Sequence, residues 1–388
     1  MATMKRSTDR ILVSHQGTLP RPADLQELFN AGLSAEAEFT RRLPSAVAEA
    51  VKRQVDIGID MVNDGEYSKR GGFNQYVVSR LSGLQTREIE PRGPGHGRSV
   101  TARDERDFPG AFAAGVGTFR RTAGTNIIAR IYCTGPVEYV GLDQTRSDIA
   151  NLKAAVQGHN IEAYLPAIAP GTVEHWLWNE HYPNDEAFLF AVADAMHQEY
   201  QAITDAGLIL QIDNPDLPDG WQIYPELSVA DYRKYAELRV EALNRALRGI
   251  PQEQVRLHVC WGSGHGPHKN DIPLDDIVDI IFKVPAQCYS IEASNPRHEH
   301  EWRVFEKAKL PQGTMLMPGV VGHVTDIVEH PQLIAERLIR YANLVGRENV
   351  QAGTDCGIGS RVGHGEIAWA KLEALVEGAR LASQALWH

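Results

Sequence analysis

The chain has 388 residues, 43% of them hydrophobic and 23% charged, which is enough apolar material for one large or two smaller globular domains. Its formal net charge of −11 argues against nucleic acid or an anionic membrane as the main partner. We predict a cytoplasmic protein, because no apolar run approaches the roughly 18 residues of a membrane span, no signal peptide opens the chain, and the four cysteines are typical of reduced thiols. The sequence carries no signal for the oligomeric state.

Strand-like and helix-like runs alternate along most of the chain, which is typical of a parallel α/β fold. Helical periodicity is found over 35–58, 184–206, 273–284, 331–345 and 366–386. Nine runs are typical of strands, and they begin near residues 11, 59, 126, 161, 208, 255, 287, 315 and 350.

The segment over 87–126 differs from the rest because it is rich in Gly, Pro and Arg and shows no clean periodicity. We interpret it as an irregular insertion that leaves the main fold. Long insertions of this kind are often functional, so it could form a lid. The alternative is a disordered surface loop.

Two metal-binding residue types stand two apart at the end of the run near 255. Side chains alternate along a strand, so His258 and Cys260 face the same way. Glu292 and Cys356 lie where two later strands give way to loops, and such strand ends converge on one face of a parallel barrel. Imidazole, thiolate and carboxylate are the ligands that zinc takes in proteins. We therefore predict one zinc ion held by His258, Cys260, Glu292 and Cys356. The alternative is that the His and Cys side chains are only packed core residues.

Three motifs carry a resemblance to a known family. They are Leu257-His258-Val259-Cys260, Ile291-Glu292-Ala293-Ser294 and Asp355-Cys356-Gly357, and together they resemble the catalytic barrel of cobalamin-independent methionine synthase. The likeness runs in the same order from about residue 11 to residue 361. It implies a single-domain (β/α)8 TIM barrel over 1–388, of the methionine synthase and uroporphyrinogen decarboxylase type. Since such a barrel has eight strands, the run near 126 is the one that we expect to lie outside it.

The resemblance also implies residues that bind substrate. Glu66 falls where the family places a carboxylate that holds the ammonium group of the substrate, although an acid in such a loop is by itself usually a solvated surface group. Asp213 matches the Asp of the family's Asp-Glu-Pro motif, but Asn214 replaces the Glu. That replacement removes a negative charge and weakens the case for homocysteine as the acceptor.

Three further residues are implied near the pocket. The opening strand ends at Ser14 and His15, where the family's loop lines the substrate pocket, while a structural role at the strand end is the alternative for His15. His323 follows another strand end, where the family has a histidine that assists by proton transfer. We expect Ser14 and His15 to bind substrate and His323 to be catalytic.

Zinc in such a site would hold a thiol as its thiolate, which is the nucleophilic form. Glu292 is the hard ligand among soft sulfurs, so it is the ligand that we expect an incoming thiol to displace. The resemblance therefore implies a zinc-dependent S-methyltransferase whose partners are a small-molecule thiol and a methyl donor. The thiol would be homocysteine or a related compound, and the donor 5-methyltetrahydrofolate or another methyl compound.

Two alternatives remain open. One is thiol alkylation by an epoxide, as in the epoxyalkane–coenzyme M transferases. The other is a barrel whose zinc is structural and whose role is binding. Structural zinc sites are usually closed by Cys and His, so the Glu ligand argues against this alternative. A cofactor-free decarboxylase of the uroporphyrinogen decarboxylase group would have no need of the two cysteines.

Overall fold

The computed structural model describes residues 4–71, 75–88, 98–116, 129–359 and 361–388. The strands within these residues are β1 (Leu12–Val13), β2 (Met61–Val62), β3 (Leu84–Glu88), β4 (Ala129–Cys133), β5 (Glu162–Ile168), β6 (Leu177–Asn179), β7 (Ile209–Asp213), β8 (Val255–Val259), β9 (Cys288–Glu292), β10 (Met315–Val321) and β11 (Gln351–Thr354).

Eight strands form one parallel sheet in the order β1-β11-β10-β9-β8-β7-β5-β2. The two end strands also meet, because Asp60 N donates to Val13 O at 2.8 Å and Ser14 Oγ donates to Met61 O at 2.9 Å. The sheet is therefore a nearly closed barrel, and the predicted (β/α)8 fold is confirmed. In such a barrel the carboxyl ends of all the strands open onto one face.

The other three described strands form a small separate sheet. Strand β4 pairs antiparallel with β3 and parallel with β6. The strand-like run near 126 therefore lies outside the barrel, as expected, and its described part begins at Ala129.

The helices are α1 (Ala23–Asn30), α2 (Glu36–Ile57), α3 (Ala102–Asp107), α4 (Pro109–Ala113), α5 (Leu142–Val156), α6 (Pro170–His175), α7 (Asp185–Asp205), α8 (Asp216–Ile223), α9 (Val229–Ala246), α10 (Val278–Ile281), α11 (Pro331–Val345) and α12 (Gly365–Trp387). Four of the five predicted helices are confirmed within about two residues, as α2, α7, α11 and α12. Sequence signals set their ends: α2 stops at Gly58, which takes the left-handed conformation, and the side chain of Asn184 caps the first turn of α7.

The single helix predicted over 273–284 is wrong. The structure has a 3₁₀ turn over Leu274–Asp276 and then only the short α10, because Ile277 leaves the helical region with φ −131°. Leu274, Ile277, Val278, Ile280 and Ile281 are all buried there. Burial of apolar side chains in the core therefore overrides the helical periodicity of this segment.

The predicted insertion over 87–126 is described at 98–116, together with residues 87 and 88 at the end of β3, whereas 89–97 and 117–126 lie outside the described residues. Within 98–116 the chain forms α3 and α4 and binds to the barrel loops, since Arg98 donates to Glu174 O at 2.8 Å and Arg103 donates to Trp221 O at 2.6 Å. This part is ordered structure packed on the barrel. The alternative of a disordered loop is therefore wrong for it.

None of the helices in the described part of the chain has both the length and the apolar content that crossing a membrane requires.

Candidate metal and substrate site

The carboxyl ends of the barrel strands carry most of the predicted site residues. His258 is the penultimate residue of β8, and Cys260 directly follows that strand. Glu292 ends β9, and Cys356 follows β11. Asp213 ends β7 beside His258, with which it is paired in the parallel ladder. The barrel thus brings distant segments of the sequence to one place.

Three of the four predicted zinc ligands form a tight cluster. One ligand atom from each of His258, Cys260 and Cys356 lies within 4.8 Å of the other two. The two sulfur atoms are 3.8 Å apart. His258 and Cys260 are buried and Cys356 is partly exposed, so the cluster is accessible from the Cys356 side.

The imidazole of His258 is held by one nitrogen and leaves the other available. Its Nδ1 lies 3.0 Å from Ser290 Oγ, while its Nε2 is buried and has no hydrogen-bond partner among the described residues. A buried polar atom without a partner is costly, and a metal ion would remove that cost. The second nitrogen of a metal-bound histidine is usually fixed in just this way by a neighbouring polar group.

The two thiols differ in acidity. Cys260 and His258 stabilise the thiolate of Cys356 and hold its pKa well below the usual value. The neighbouring Cys356 and burial raise the pKa of Cys260 well above it. The pair therefore shares one negative charge readily, and a cation beside both sulfurs would favour the second ionisation.

Glu292 belongs to a second, adjoining cluster with His323 and Asp355, whose ligand atoms lie within 4.8 Å of one another. Its carboxylate accepts hydrogen bonds from Trp261 N at 2.8 Å and from Asn295 Nδ2 at 2.9 Å. The structure therefore brings three predicted ligands together and places the fourth next to them, already bound to donors of the protein.

Asp355 was not among the predicted site residues, yet it organises this region. Its carboxylate accepts from Ala293 N, Ser294 N and Ser294 Oγ at 2.8, 2.9 and 2.5 Å, which ties the end of β11 to the loop after β9. Burial and the nearby Glu292 raise the pKa of Asp355 to about 8. Its position directly before Cys356 is the only signal that the sequence offered.

His323 is buried and belongs to the same cluster as Glu292 and Asp355. Its Nε2 lies 3.0 Å from Ser263 Oγ, and its Nδ1 has no hydrogen-bond partner in the described residues. Burial lowers its pKa, so the ring is neutral at physiological pH. A neutral imidazole with one free nitrogen can accept a proton, which agrees with the role predicted for it.

Glu66 is held in an unusual conformation. It is a non-glycine residue with φ 57°, an outlier of the kind that clusters at functional sites. Its Oε2 lies 3.1 Å from Lys69 Nζ, and both side chains are buried. Lys69 was missed by the sequence reasoning, although its spacing of three residues from Glu66 was visible.

Asp213 and Asn214 lie next to this pair. Gln211 Nε2 donates to Asp213 Oδ1 at 2.7 Å, and burial is the largest of the effects that raise the pKa of Asp213 to about 7. The amide nitrogen of Asn214 donates to Asp216, whereas its Oδ1 is buried and has no hydrogen-bond partner among the described residues. The charges of Glu66 and Lys69 act on the pKa of Asp213, and so do those of His258 and Cys356. Asp213 therefore lies between the Glu66–Lys69 pair and the cluster of His258 with the two cysteines.

The side chains of Ser14 and His15 contact residues other than those of the metal and substrate site. Ser14 Oγ donates to Met61 O and accepts from Arg256 in the barrel interior. His15 Nε2 lies 2.9 Å from Gln54 Oε1, and burial lowers the pKa of His15 to about 4. Both side chains are fully engaged with barrel residues, which matches the structural alternative given above for His15. We do not carry either of them forward as a substrate ligand.

Comparison with known proteins gives the family. Residues 167–381 match the family model described as the catalytic domain of cobalamin-independent synthase. The chain is 24% identical to the methionine synthase of Saccharolobus islandicus, covering 95% of this chain and 94% of that protein. It is 23% identical to the 5-methyltetrahydropteroyltriglutamate–homocysteine methyltransferase of Vibrio vulnificus, covering 89% of this chain but 39% of that longer protein.

Solved structures share the fold. A B12-independent methionine synthase from Shewanella sp. W3-18-1, in complex with selenomethionine, is similar with a TM-score of 0.71 and 19% identity over 97% of this chain and 99% of that one. A methyltransferase from Methanosarcina mazei is similar with a TM-score of 0.54 and 14% identity over 96% and 94% of the two chains. Because the family model matches more than half of the sequence, this chain belongs to the family of the cobalamin-independent synthase catalytic domain.

Proposed function

We propose that this protein is a zinc-dependent S-methyltransferase that methylates a small-molecule thiol such as homocysteine or a related compound. The observation that carries the proposal is the cluster of His258 Nε2 with the thiols of Cys260 and Cys356 at the open end of the barrel. Family membership supports methyl transfer as the reaction class. A methylfolate or another methyl compound would be the donor.

The residues present fit a zinc ion. Two cysteine sulfurs and a buried imidazole nitrogen without a partner are a donor set that zinc prefers, and Ser290 fixes the second nitrogen of the ring. His258, Cys260 and Cys356 would hold the metal, with Glu292 as the fourth ligand. When bound, zinc supplies the positive charge that keeps a thiol deprotonated at neutral pH.

Glu292 is suited to be the ligand that yields to an incoming thiol. Its carboxylate already accepts hydrogen bonds from Trp261 N and Asn295 Nδ2. If it left the metal, both oxygens would still have donors, and no uncompensated buried charge would remain.

The remaining residues would handle protons and orientation. His323 is neutral and has a free Nδ1, so it can accept the proton that the thiol releases or pass one to the departing donor. Asp213 and Glu66 would orient the polar end of the acceptor beside the cysteines. Correct placement of the sulfur and the methyl carbon would provide much of the acceleration.

A second candidate is alkylation of a thiol by an epoxide, as in the epoxyalkane–coenzyme M transferases. It is favoured by the neutral Asn214, which removes a negative charge from the region where the family holds the ammonium group of an amino acid. A purely structural zinc is disfavoured, since Cys356 is partly exposed and Glu292 is a carboxylate.

The experiment that tests the proposal measures the metal content of the purified protein and then its zinc-edge X-ray absorption with and without thiols. We expect one zinc per chain that gains a sulfur and loses an oxygen when an acceptor is added. Cys356→Ala should lose the metal, whereas the matched control Cys133→Ala, which changes a buried cysteine outside the cluster, should keep it. A protein that retains no zinc, or a Cys356→Ala variant with full activity, would disprove the assignment.

A further inference from the structure

We propose that Asn295 is a positioning residue that sets how readily Glu292 gives up its place on the metal to the acceptor thiol. Its side-chain amide and the backbone amide of Trp261 together hold the Glu292 carboxylate, and we call these two donors the carboxylate cradle. The inference rests on the proposed function, because it concerns a ligand of the same zinc site. It assigns to Asn295 a balance between two affinities, that for zinc and that for the thiol.

The cradle holds Glu292 beside the other proposed ligands and not among them. His258, Cys260 and Cys356 offer ligand atoms within 4.8 Å of one another, whereas Glu292 belongs to the adjoining cluster. Ligand atoms of a tetrahedral zinc site lie roughly 2.0–2.3 Å from the metal and therefore less than about 4 Å from one another. To join the other three ligands, the carboxylate would have to move towards them and weaken its hydrogen bonds to the cradle.

The first donor of the cradle is fixed in place. Trp261 N donates to Glu292 Oε2 at 2.8 Å. The indole of the same residue donates from Nε1 to Ile272 O at 2.7 Å and stacks on the ring of the buried His298, with the ring centres 4.2 Å apart. Because the side chain is held at both ends, the amide of Trp261 cannot follow the carboxylate when it moves.

The second donor is fixed in both position and orientation. Asn295 Oδ1 accepts from Arg297 N at 3.0 Å, so the nitrogen of the same amide faces Glu292 and donates to its Oε1 at 2.9 Å. The backbone oxygen of Asn295 accepts from His298 N and Glu299 N, each at 2.8 Å. The orientation of the amide therefore follows from a backbone N–H group, which can only donate.

The cradle stabilises one position of the carboxylate more than the other. Hydrogen bonds to a charged group are stronger than those between neutral groups, and Glu292 is only 2% exposed, so its hydration contributes little. The metal-free protein and the protein with a bound thiol both have the carboxylate in the cradle, whereas the zinc-loaded protein without thiol has it on the metal. Asn295 therefore weakens zinc binding and strengthens thiol binding by the same factor.

The test replaces Asn295 with a side chain of similar size that cannot donate. For Asn295→Leu we expect zinc affinity, measured by competition with a chelator, to rise about tenfold. Thiol affinity of the zinc-loaded protein, measured by calorimetry, should fall about tenfold, so that the product of the two affinities stays the same. The thiols are L-homocysteine and 2-mercaptoethanesulfonate, and the comparison uses whichever of them wild type binds.

Opposite changes of equal size separate this role from damage to the fold, which would lower both affinities. Asn179→Leu is the matched control, because Asn179 is also partly exposed and its Oδ1 accepts from the backbone nitrogen two residues later, His181 N, at 3.2 Å. It should change neither affinity. If Asn295→Leu fails to fold, Asn295→Ala removes the same donor and should shift both affinities with the same signs.

A folded Asn295 variant whose zinc affinity falls or stays unchanged would overturn the inference, because the amide would then support the carboxylate on the metal or not affect it. A rise in zinc affinity without a matching loss of thiol affinity would overturn it as well. These results leave the proposed function intact, since the thiol still reaches the metal. A wild-type protein that holds zinc but binds neither thiol would instead refute the proposed function and the inference with it.

Discussion

The sulfur atoms of Cys260 and Cys356 lie 3.8 Å apart although 96 residues separate them in the chain. The parallel barrel makes this possible, because β8 and β11 deliver their carboxyl ends to the same face. Two thiols this close, one of them with a strongly lowered pKa, form a place where a soft metal ion is expected to bind.

The first prediction concerns the reactivity of the thiols. In metal-free protein we expect iodoacetamide to modify Cys356 first, because it is partly exposed and its pKa is lowered by Cys260 and His258. Cys133 and Cys288 are buried with raised pKa values, so they serve as internal controls. Added zinc should protect Cys356. Peptide mass spectrometry measures the order, and equal labelling of all four cysteines would contradict it.

The second prediction concerns the residue that fixes His258. Ser290→Ala removes the oxygen 3.0 Å from His258 Nδ1, so the ring should lose its orientation and zinc affinity should fall by about 10- to 100-fold. Competition with a chelator measures the change. Ser383→Ala is a matched control, because Ser383 is also a buried serine that bonds to the barrel, accepting from Ile11 N, but it lies outside the cluster. Equal zinc affinity in the two variants would show that Ser290 does not support the ligand.

Much of this architecture could be predicted from the sequence. The spacing of His258 and Cys260 predicted that both face the same way, and the convergence of parallel strand ends predicted that Glu292 and Cys356 lie near them at the open end of the barrel. The strand-like run near residue 126 could be set aside as surplus to the eight-stranded barrel because it adjoined the insertion. These inferences depend on periodicity and topology, and the sequence displays both directly.

Other features depend on contacts between distant residues that no periodicity reveals. Asp355 acts through backbone groups of the loop that follows β9, about 60 residues earlier in the chain. His15 could have faced the pocket or the helix layer, and the partner Gln54 on α2 decides which. In each case a tertiary contact, and not local sequence, sets the direction of the side chain.

The third prediction is that stability falls as the pH rises above neutrality. Hydrogen bonds to Asp271 and Glu301 outweigh burial and raise the pKa of His298 to about 9, and Asp271 raises the pKa of His268 to about 9 as well. Both folded values exceed the unfolded value of about 6.5, so the folded state binds more protons between these limits. The stabilisation is complete below about pH 6.5 and is lost as the pH rises through 9.

Thermal unfolding measured from pH 6 to pH 10 on the zinc-loaded protein checks this trend. His298→Gln keeps a hydrogen-bonding side chain but cannot carry the charge, so its midpoint should fall less steeply over the same range. His181→Gln changes an exposed histidine with other surroundings and should follow the wild-type curve. If His298→Gln shows the full wild-type slope, the buried histidines are not the origin of the pH dependence.

The fourth prediction separates backbone strain from damage to the site. Gly17 and Gly249 both have positive φ values, 58° and 76°, so alanine at either should cost about 1–2 kcal/mol in the free energy of unfolding. A Cβ at Gly17 would lie 2.5 Å from Glu66 Oε1, whereas a Cβ at Gly249 would meet nothing within 4 Å. Gly17→Ala should therefore also displace the Glu66 carboxylate and weaken thiol binding, while Gly249→Ala should leave thiol binding unchanged. Denaturant unfolding and calorimetric thiol binding measure the two effects independently, and equal thiol affinity in both variants would mean that the position of Glu66 does not matter for the acceptor.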